Sequence, residues 1–405
     1  MSDGNRPPNG LVPLNGHHHL PPRFSGGTRA VVPRRRSAPK GIVFGLLGAV
    51  LVVGAFTAVH ISANLRFDDA ADAYQEIRTD TVSARTALDT GVETLTATTS
   101  SADHLLAADT GLLMDGIPLD DLTTAVADAK EAAASAQELT AQDPPRPGEK
   151  PGWFWELFGA ADRLDTQADD ADALRADLDT QLPVVEQADA VVIDAASTIV
   201  TGAAAAVPAF ETAHLSAKNL DIIAMRTAAE DVAPLTVLDE DAVARFTALQ
   251  ASAAQVVVSQ DAEMAEKAGP LLGARLEIEA FARSLAPGVL LEFDWAPIVN
   301  GAGDNGSMGG YTTWWWDEPD RSVILLSNSV AEQWPADRSK ALVAHEVGHA
   351  ISVKCEDMYD SSTQDSIEKW ATAWAISMGF SDDANGVWAY GYPPESYIAA
   401  AAGCR

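Results

Sequence analysis

The residues best suited to chemistry are His345-Glu346-Val347-Gly348-His349. They lie in a stretch that reads as helix, where positions i and i+4 share one face. Two imidazoles so placed take adjacent corners of a tetrahedral Zn²⁺ site. Glu346, one position after the first histidine, can reach a metal-bound water and act as its general base. A five-residue match also arises by chance, so the rest of the chain must supply a third ligand, a buried helix and a fitting compartment.

The chain has no histidine after His349, so the candidates for a third ligand from a later element are carboxylates, with Cys355, at an unfamiliar ligand spacing six residues beyond His349, the less favoured donor. Glu356, Asp357 and Asp360 follow closely and read as solvated loop acids. Glu368 stands 19 residues beyond His349, in a segment whose apolar residues Ile367, Trp370, Ala371, Trp374 and Ala375 fall at helical spacing. On a second helix packed across the first, it would complete a His₂Glu site with water in the fourth position. Asp365 is the alternative.

Several elements must position these residues. Val289–Ala296 alternates apolar and polar residues as a strand does. Asn300–Gly310 is a Gly-rich loop without the Lys-Ser/Thr ending of a phosphate loop. Tyr311–Trp316 and Arg321–Val330 read as strands about a polar turn, a hairpin. A helix opens at Pro335–Arg338 and runs through Ala341, Leu342, Val343 and Ala344 into the histidines.

From about residue 288 to 405 the chain resembles a minimal gluzincin metallopeptidase domain, by its His345-Glu346-x-x-His349 and the later Glu368. The resemblance implies a small α+β, zincin-like fold of β-sheet plus metal helix. It implies one Zn²⁺ on His345, His349 and Glu368, with Glu346 as general base for peptide hydrolysis. It also implies a phenol or imidazole donor to the developing oxyanion, for which Tyr390 and Tyr392 come first and Tyr397 and Tyr311 follow. The strand Arg321–Val330 resembles the edge strand on which gluzincins lay out an extended peptide. The family's glutamate is followed by Ala-Asp at three and four residues; here these are Ala371 and Thr372. That leaves the metal-bound histidine to be oriented by another acceptor, Asp365 or a backbone carbonyl.

Composition bears on the compartment. The formal net charge is −31, with 27 Lys and Arg against 58 Asp and Glu, which argues against a nucleic-acid partner. Charge sign changes along the chain: residues 1–63 hold seven bases and one acid, leaving 27 − 7 = 20 bases and 58 − 1 = 57 acids. Between the two parts lies Gly41–Ala63, 23 residues without Asp, Glu, Lys or Arg, long enough to cross a bilayer as a helix. Arg34-Arg35-Arg36 and Lys40 precede it, so the positive-inside rule predicts a single-pass cell-membrane protein with its N-terminus cytoplasmic and its C-terminal domain outside. The first 40 residues, rich in Pro, Gly, Asn and Arg, read as a disordered basic tail, and His17-His18-His19 as an incidental polar tract. The two cysteines, Cys355 and Cys404, fall on the outer side and are expected to pair.

Residues 64–285 read as amphipathic helix almost throughout, a bundle or coiled-coil-like stalk that could also mediate homo-oligomerisation. Breaks are expected at Gly116-Ile117-Pro118, Asp143–Gly148, Pro208, Pro234 and Gly269-Pro270. Trp153-Phe154-Trp155 can pack at a bundle end or on the membrane surface. The unit expected to carry the site is 286–405. The reading is thus a membrane-anchored extracytoplasmic zinc metallopeptidase acting on a peptide or protein. The alternative is an inactive zinc-binding domain on a membrane-anchored helical sensor or scaffold.

Overall fold

The computed structural model describes residues 40–114, 116–232 and 238–405, with side chains from residue 51 onward. The basic tail, His17–His19 and the expected break at Pro234 lie outside the described residues.

The chain is mainly helical, with one small mixed sheet. Helix α1 (Lys40–Ala108) carries the apolar run at its start. Helices α2 (Ile117–Thr140), α3 (Phe154–Ala213), α4 (Asn219–Val232) and α5 (Glu240–Glu266) complete a bundle. Small residues at three- and four-residue steps let the helices lie close: Leu88, Val92 and Leu95 of α1 meet Leu178, Val185 and Val192 of α3 in one core. Phe56 lies near Phe154, Gly91 against Leu182 and Val185, and Gly202 against Met114, so α1 and α3 run side by side in the same direction. Among the described residues, the breaks expected near Gly116-Ile117-Pro118, Asp143–Gly148 and Gly269-Pro270 fall between helices, and the one at Pro208 does not. Helix α3 continues through Pro208, as through Pro183, and ends at Ala213. A proline forfeits one backbone donor, but the buried Ala203 and Val207 keep this turn packed in the bundle core.

By length and composition, α3 is the one helix among the described residues apolar enough to cross a membrane. Its apolar positions Val192, Ala196, Ile199, Val200 and Ala203 are already used in the bundle core.

A second core surrounds the sheet. Helix α6 (Leu272–Leu285) adds Ile278 and Ala282 to it, so the packing unit that bears the site begins ahead of the composition change at residues 286–288. Strands β1 (Leu290–Ala296), β2 (Gly310–Trp314) and β3 (Arg321–Ser327) form the sheet in the order β1-β3-β2. β1 is parallel to β3, and β2 is antiparallel to it with Trp314 opposite Ser322, the expected hairpin. The segment Arg321–Val330 is therefore no edge strand. β3 is the central strand, ending at Ser327 where the short helix α7 (Asn328–Glu332) begins, and the free edge beside the site belongs to β2.

Helix α8 (Asp337–Ser352) lies beneath the sheet and is crossed by α9 (Gln364–Ser377); α10 (Val387–Tyr390) and α11 (Glu395–Ala401) close the chain. All of Ala341–Ser352 is buried. A Cβ at Gly348 would lie 2.8 Å from the carbonyl oxygen of Ala371, so glycine lets α9 approach α8 backbone to backbone. Cys355 and Cys404 form a disulfide with Cα atoms 6.0 Å apart, tying the C-terminus to the segment after α8.

Candidate metal centre

His345 and His349 present their rings from one face of α8, edge to face with centroids 4.8 Å apart. Across the helix crossing, Glu368 projects from the second turn of α9. His345 Nε2, His349 Nε2 and Glu368 Oε2 lie 3.2, 3.2 and 3.1 Å from one another. Three ligands on one Zn²⁺ at about 2.0–2.1 Å would stand about 3.3 Å apart at tetrahedral corners. The spacing thus matches three corners of such a site.

Proton accounting supports the same conclusion. The Thr372 hydroxyl donates its one hydrogen to the Glu368 carbonyl at 2.8 Å and lies 3.4 Å from His345 Nδ1. Having spent its hydrogen, it can only accept from Nδ1–H, which in the neutral imidazole leaves Nε2 with a bare lone pair facing the carboxylate. Two acceptors 3.2 Å apart repel unless a cation lies between them. The residues present therefore fit a divalent, tetrahedral ion. Burial pushes the Glu368 carboxyl up; where protons rather than a metal ion lie between the groups, hydrogen bonds and charge from protonated His345 and His349 more than reverse this and hold it well below the usual carboxylate range. Gln364 Nε2 donates to its other oxygen at 2.7 Å.

Thr372 thus performs the orienting role that the sequence left to Asp365 or a backbone carbonyl. Asp365 is exposed and paired with Lys369 at 2.7 Å, away from the histidines. His349 is held differently. Its ring stacks on Trp314 of β2, centroids 5.2 Å apart and planes 4° apart, while its buried Nδ1 has no partner among the described residues.

Glu346 turns toward β2, where the Thr312 hydroxyl lies 2.7 Å from its Oε2 and 3.0 Å from its backbone carbonyl. Both Thr312 and Glu346 are buried. This fixes the carboxylate next to His345, with no Lys or Arg paired to it among the described residues.

Of the tyrosines, the structure brings only Tyr390 to the cluster. Its ring lies parallel to that of His345 at 5.8 Å. Burial, then the charges of Glu368 and Glu346, push its phenol up to about 12, so it keeps its O–H at neutral pH. The loop after α9 makes this approach possible. Asn385 is buried, donates to the Phe380 carbonyl at 2.8 Å and accepts from Val387 N–H. Gly386 then turns at φ +104°, where a Cβ would meet Thr372 Oγ1 and His345 Nδ1. Tyr392 is exposed and makes no contact with the cluster among the described residues. Tyr397 bonds Ser366 at 2.7 Å and anchors α11 on α9, and Tyr311 is exposed on β2. Glu356, Asp357 and Asp360 are exposed, as expected; the first two lie on a 3₁₀ helix, Val353–Met358, and Asp360 in the loop after it.

Thr312, Trp314, Asn385 and Gly386 escaped the sequence reading. A signal for the first two was present: Gly310, Thr312 and Trp314 alternate along one face of a strand, the face laid on the helix that bears His345 and His349.

A scan against protein-family models finds no match, and searches of curated proteins and of solved structures find no similar chain.

Proposed function

We propose that this chain is a membrane-anchored zinc metallopeptidase acting outside the cytoplasm. One observation carries the reading: three acceptor atoms from His345, His349 and Glu368 converge at tetrahedral spacing beside a buried carboxylate, Glu346. Zn²⁺ bound there would supply a Lewis acid for the scissile carbonyl and lower the pKa of a bound water. Glu346, held by Thr312, takes the proton of the attacking water and delivers it to the leaving amine. The Tyr390 phenol, kept protonated, donates to the oxyanion as charge develops. An extended peptide can pair with the free edge of β2, whose other edge is already bonded to β3. Trp314, on the same strand, holds His349 while β2 holds Glu346 through Thr312, so substrate docking and the reacting groups share one rigid element.

The anchor is the apolar run Gly41–Ala63. Leu51, Val52, Val53, Phe56, Val59 and Ile61 stay exposed, and from residue 51 onward the first buried position on α1 is Ala63. Exposed apolar side chains arrayed around a helix, with Phe154 against Phe56 the one aromatic contact among the described residues, suit lipid.

The test compares the purified chain with Glu346→Gln. We expect one zinc per chain in both and peptide cleavage lower in the variant by about 10²–10⁴-fold, the usual scale for a general base. Equal cleavage with zinc bound in both would leave a zinc-binding recognition domain. Absence of zinc in the wild type would remove the enzyme reading.

A further inference from the structure

The segment between α2 and α3 does not cross the bundle by the shortest route. It descends along α1: Asp143 pairs with Arg85, the Pro145 carbonyl accepts from the Tyr74 hydroxyl, and Lys150 pairs with Asp68 at 2.5 Å. Prolines suit such a strap, because an extended chain without N–H groups leaves fewer donors to satisfy. The strap ends at Trp153-Phe154-Trp155, where Phe154 meets Phe56 edge to face at 5.7 Å. Phe56 lies inside the apolar run. The strap therefore carries an aromatic corner past the last buried position of α1 and sets it beside the lipid-exposed part of that helix.

Trp153 and Trp155 stack at 5.0 Å yet are 60% and 56% exposed, and Phe158, one turn on, is also exposed. Neither indole N–H has a partner among the described residues. A tryptophan with an apolar body and a free polar edge fits the boundary between acyl chains and headgroups. The depth agrees. At about 1.5 Å per residue the 23-residue run is about 34 Å long, slightly more than the roughly 30 Å hydrocarbon core, and Phe56 lies about 10 Å below Ala63. The corner thus reaches the upper acyl chains, just beneath the outer headgroups.

We infer that Trp153-Phe154-Trp155 is a membrane foot, inserted in the outer headgroup boundary and giving the bundle a second point of contact with the bilayer beside α1. The inference rests on the anchor reading. With two contacts the stalk is clamped upright rather than free to swing on one helix. α3 has 60 residues and rises about 90 Å from the foot to the sheet-bearing unit, where Arg283 bonds the Leu215 carbonyl at 2.7 Å. The cleft is thereby held far from the lipid, over substrates of the outer envelope or its surroundings rather than over juxtamembrane stubs.

Tryptophan placement allows a direct test. Of the ten tryptophans, all except these two lie at Trp295 or beyond, in the distant unit. Full-length protein is reconstituted in liposomes containing phosphatidylcholine brominated near the headgroup end of its acyl chains. Flotation resistant to alkaline extraction reports the anchor. Expected is quenching of a minor part of the tryptophan emission, stronger than with bromine near the chain end, and its loss in Trp153→Phe/Trp155→Phe. A wild-type protein that floats but is not quenched overturns the foot and leaves the anchor standing. Quenching retained in the double variant also overturns it. Failure to float overturns the anchor, and the foot with it.

Discussion

In the bundle of α1–α5 the buried positions are mostly Ala, Leu and Val at three- and four-residue steps. Around the sheet they include Phe293, Trp370 and Trp374 together with polar groups from three elements, α8, α9 and β2, gathered in one place. The first region is specified by a period, and many sequences with that period would pack alike. The second is specified residue by residue. Glu368 reaches the histidines because Gly348 admits α9, His345 has its tautomer because Thr372 has spent its proton, and Tyr390 arrives because Gly386 can turn. The same contrast separates a spacer, which needs length and stiffness, from a site, which needs fixed distances.

Metal removal should break the molecule along this line. Chelation, or His349→Ala, is expected to lower the melting transition of the sheet-bearing unit and leave that of the bundle in place. An ion held at a thousand times its Kd contributes about 4 kcal/mol to the state that binds it. Calorimetry of the full chain with and without chelator reads both transitions. A bundle transition that moves equally would mean that the two regions melt as one, and the contrast would fail.

The disulfide should behave the same way on a somewhat smaller scale. Cys355 and Cys404 are 49 residues apart and both buried within the second core. Cross-linking a loop of that length typically contributes about 2–4 kcal/mol by restricting the unfolded chain. Cys404→Ala is expected to destabilise the sheet-bearing unit by that amount in denaturant titrations while the bundle midpoint holds.

Much of this was legible in the sequence. The helical region showed itself because amphipathic periods and Gly-Pro breaks are local signals, and the hairpin because two strands flank a polar turn. The break at Pro208 was misread because proline's cost is local while the packing that overrides it is tertiary. That His345, His349 and Glu368 would converge was legible because metal chemistry constrains such residues in type and spacing. The free edge beside the site was assigned to the wrong strand, since strand order depends on the crossover between β1 and β3, which no local pattern records. Thr372 looked like a missing aspartate. That a hydroxyl bonded to its own helix carbonyl can still accept from imidazole follows only from coordinates.

Thr372→Val tests the residue-by-residue character of the site directly. Valine keeps the shape and the burial but removes the acceptor for His345 Nδ1–H. Losing such an outer contact typically weakens metal affinity about 10–100-fold, or about 1.4–2.7 kcal/mol. Competition with a chromophoric chelator measures it. If Thr372→Asp restores or exceeds wild-type affinity while Thr372→Val weakens it, the contact acts through hydrogen bonding. Equal affinity in all three proteins would show that the ring is held by packing alone.

The smallest effect tests the periodic region. Val191 and Val192 are neighbours on α3, the first half exposed and the second wholly buried in the bundle core. Val192→Ala removes buried methyl groups at about 0.8 kcal/mol each and should cost well over 1 kcal/mol once the cavity is included. Val191→Ala removes surface methyl groups and improves helix propensity, so its effect should stay within about 0.5 kcal/mol in either direction. Neither should alter zinc affinity or cleavage. In the bundle, one step along the chain therefore separates a costly position from a neutral one. His345–His349 offers no such neutral neighbour, because all five residues are buried. If Val191→Ala proved as costly as Val192→Ala, the outer face of α3 would be covered by a partner, and the bundle would carry specificity of its own rather than length alone.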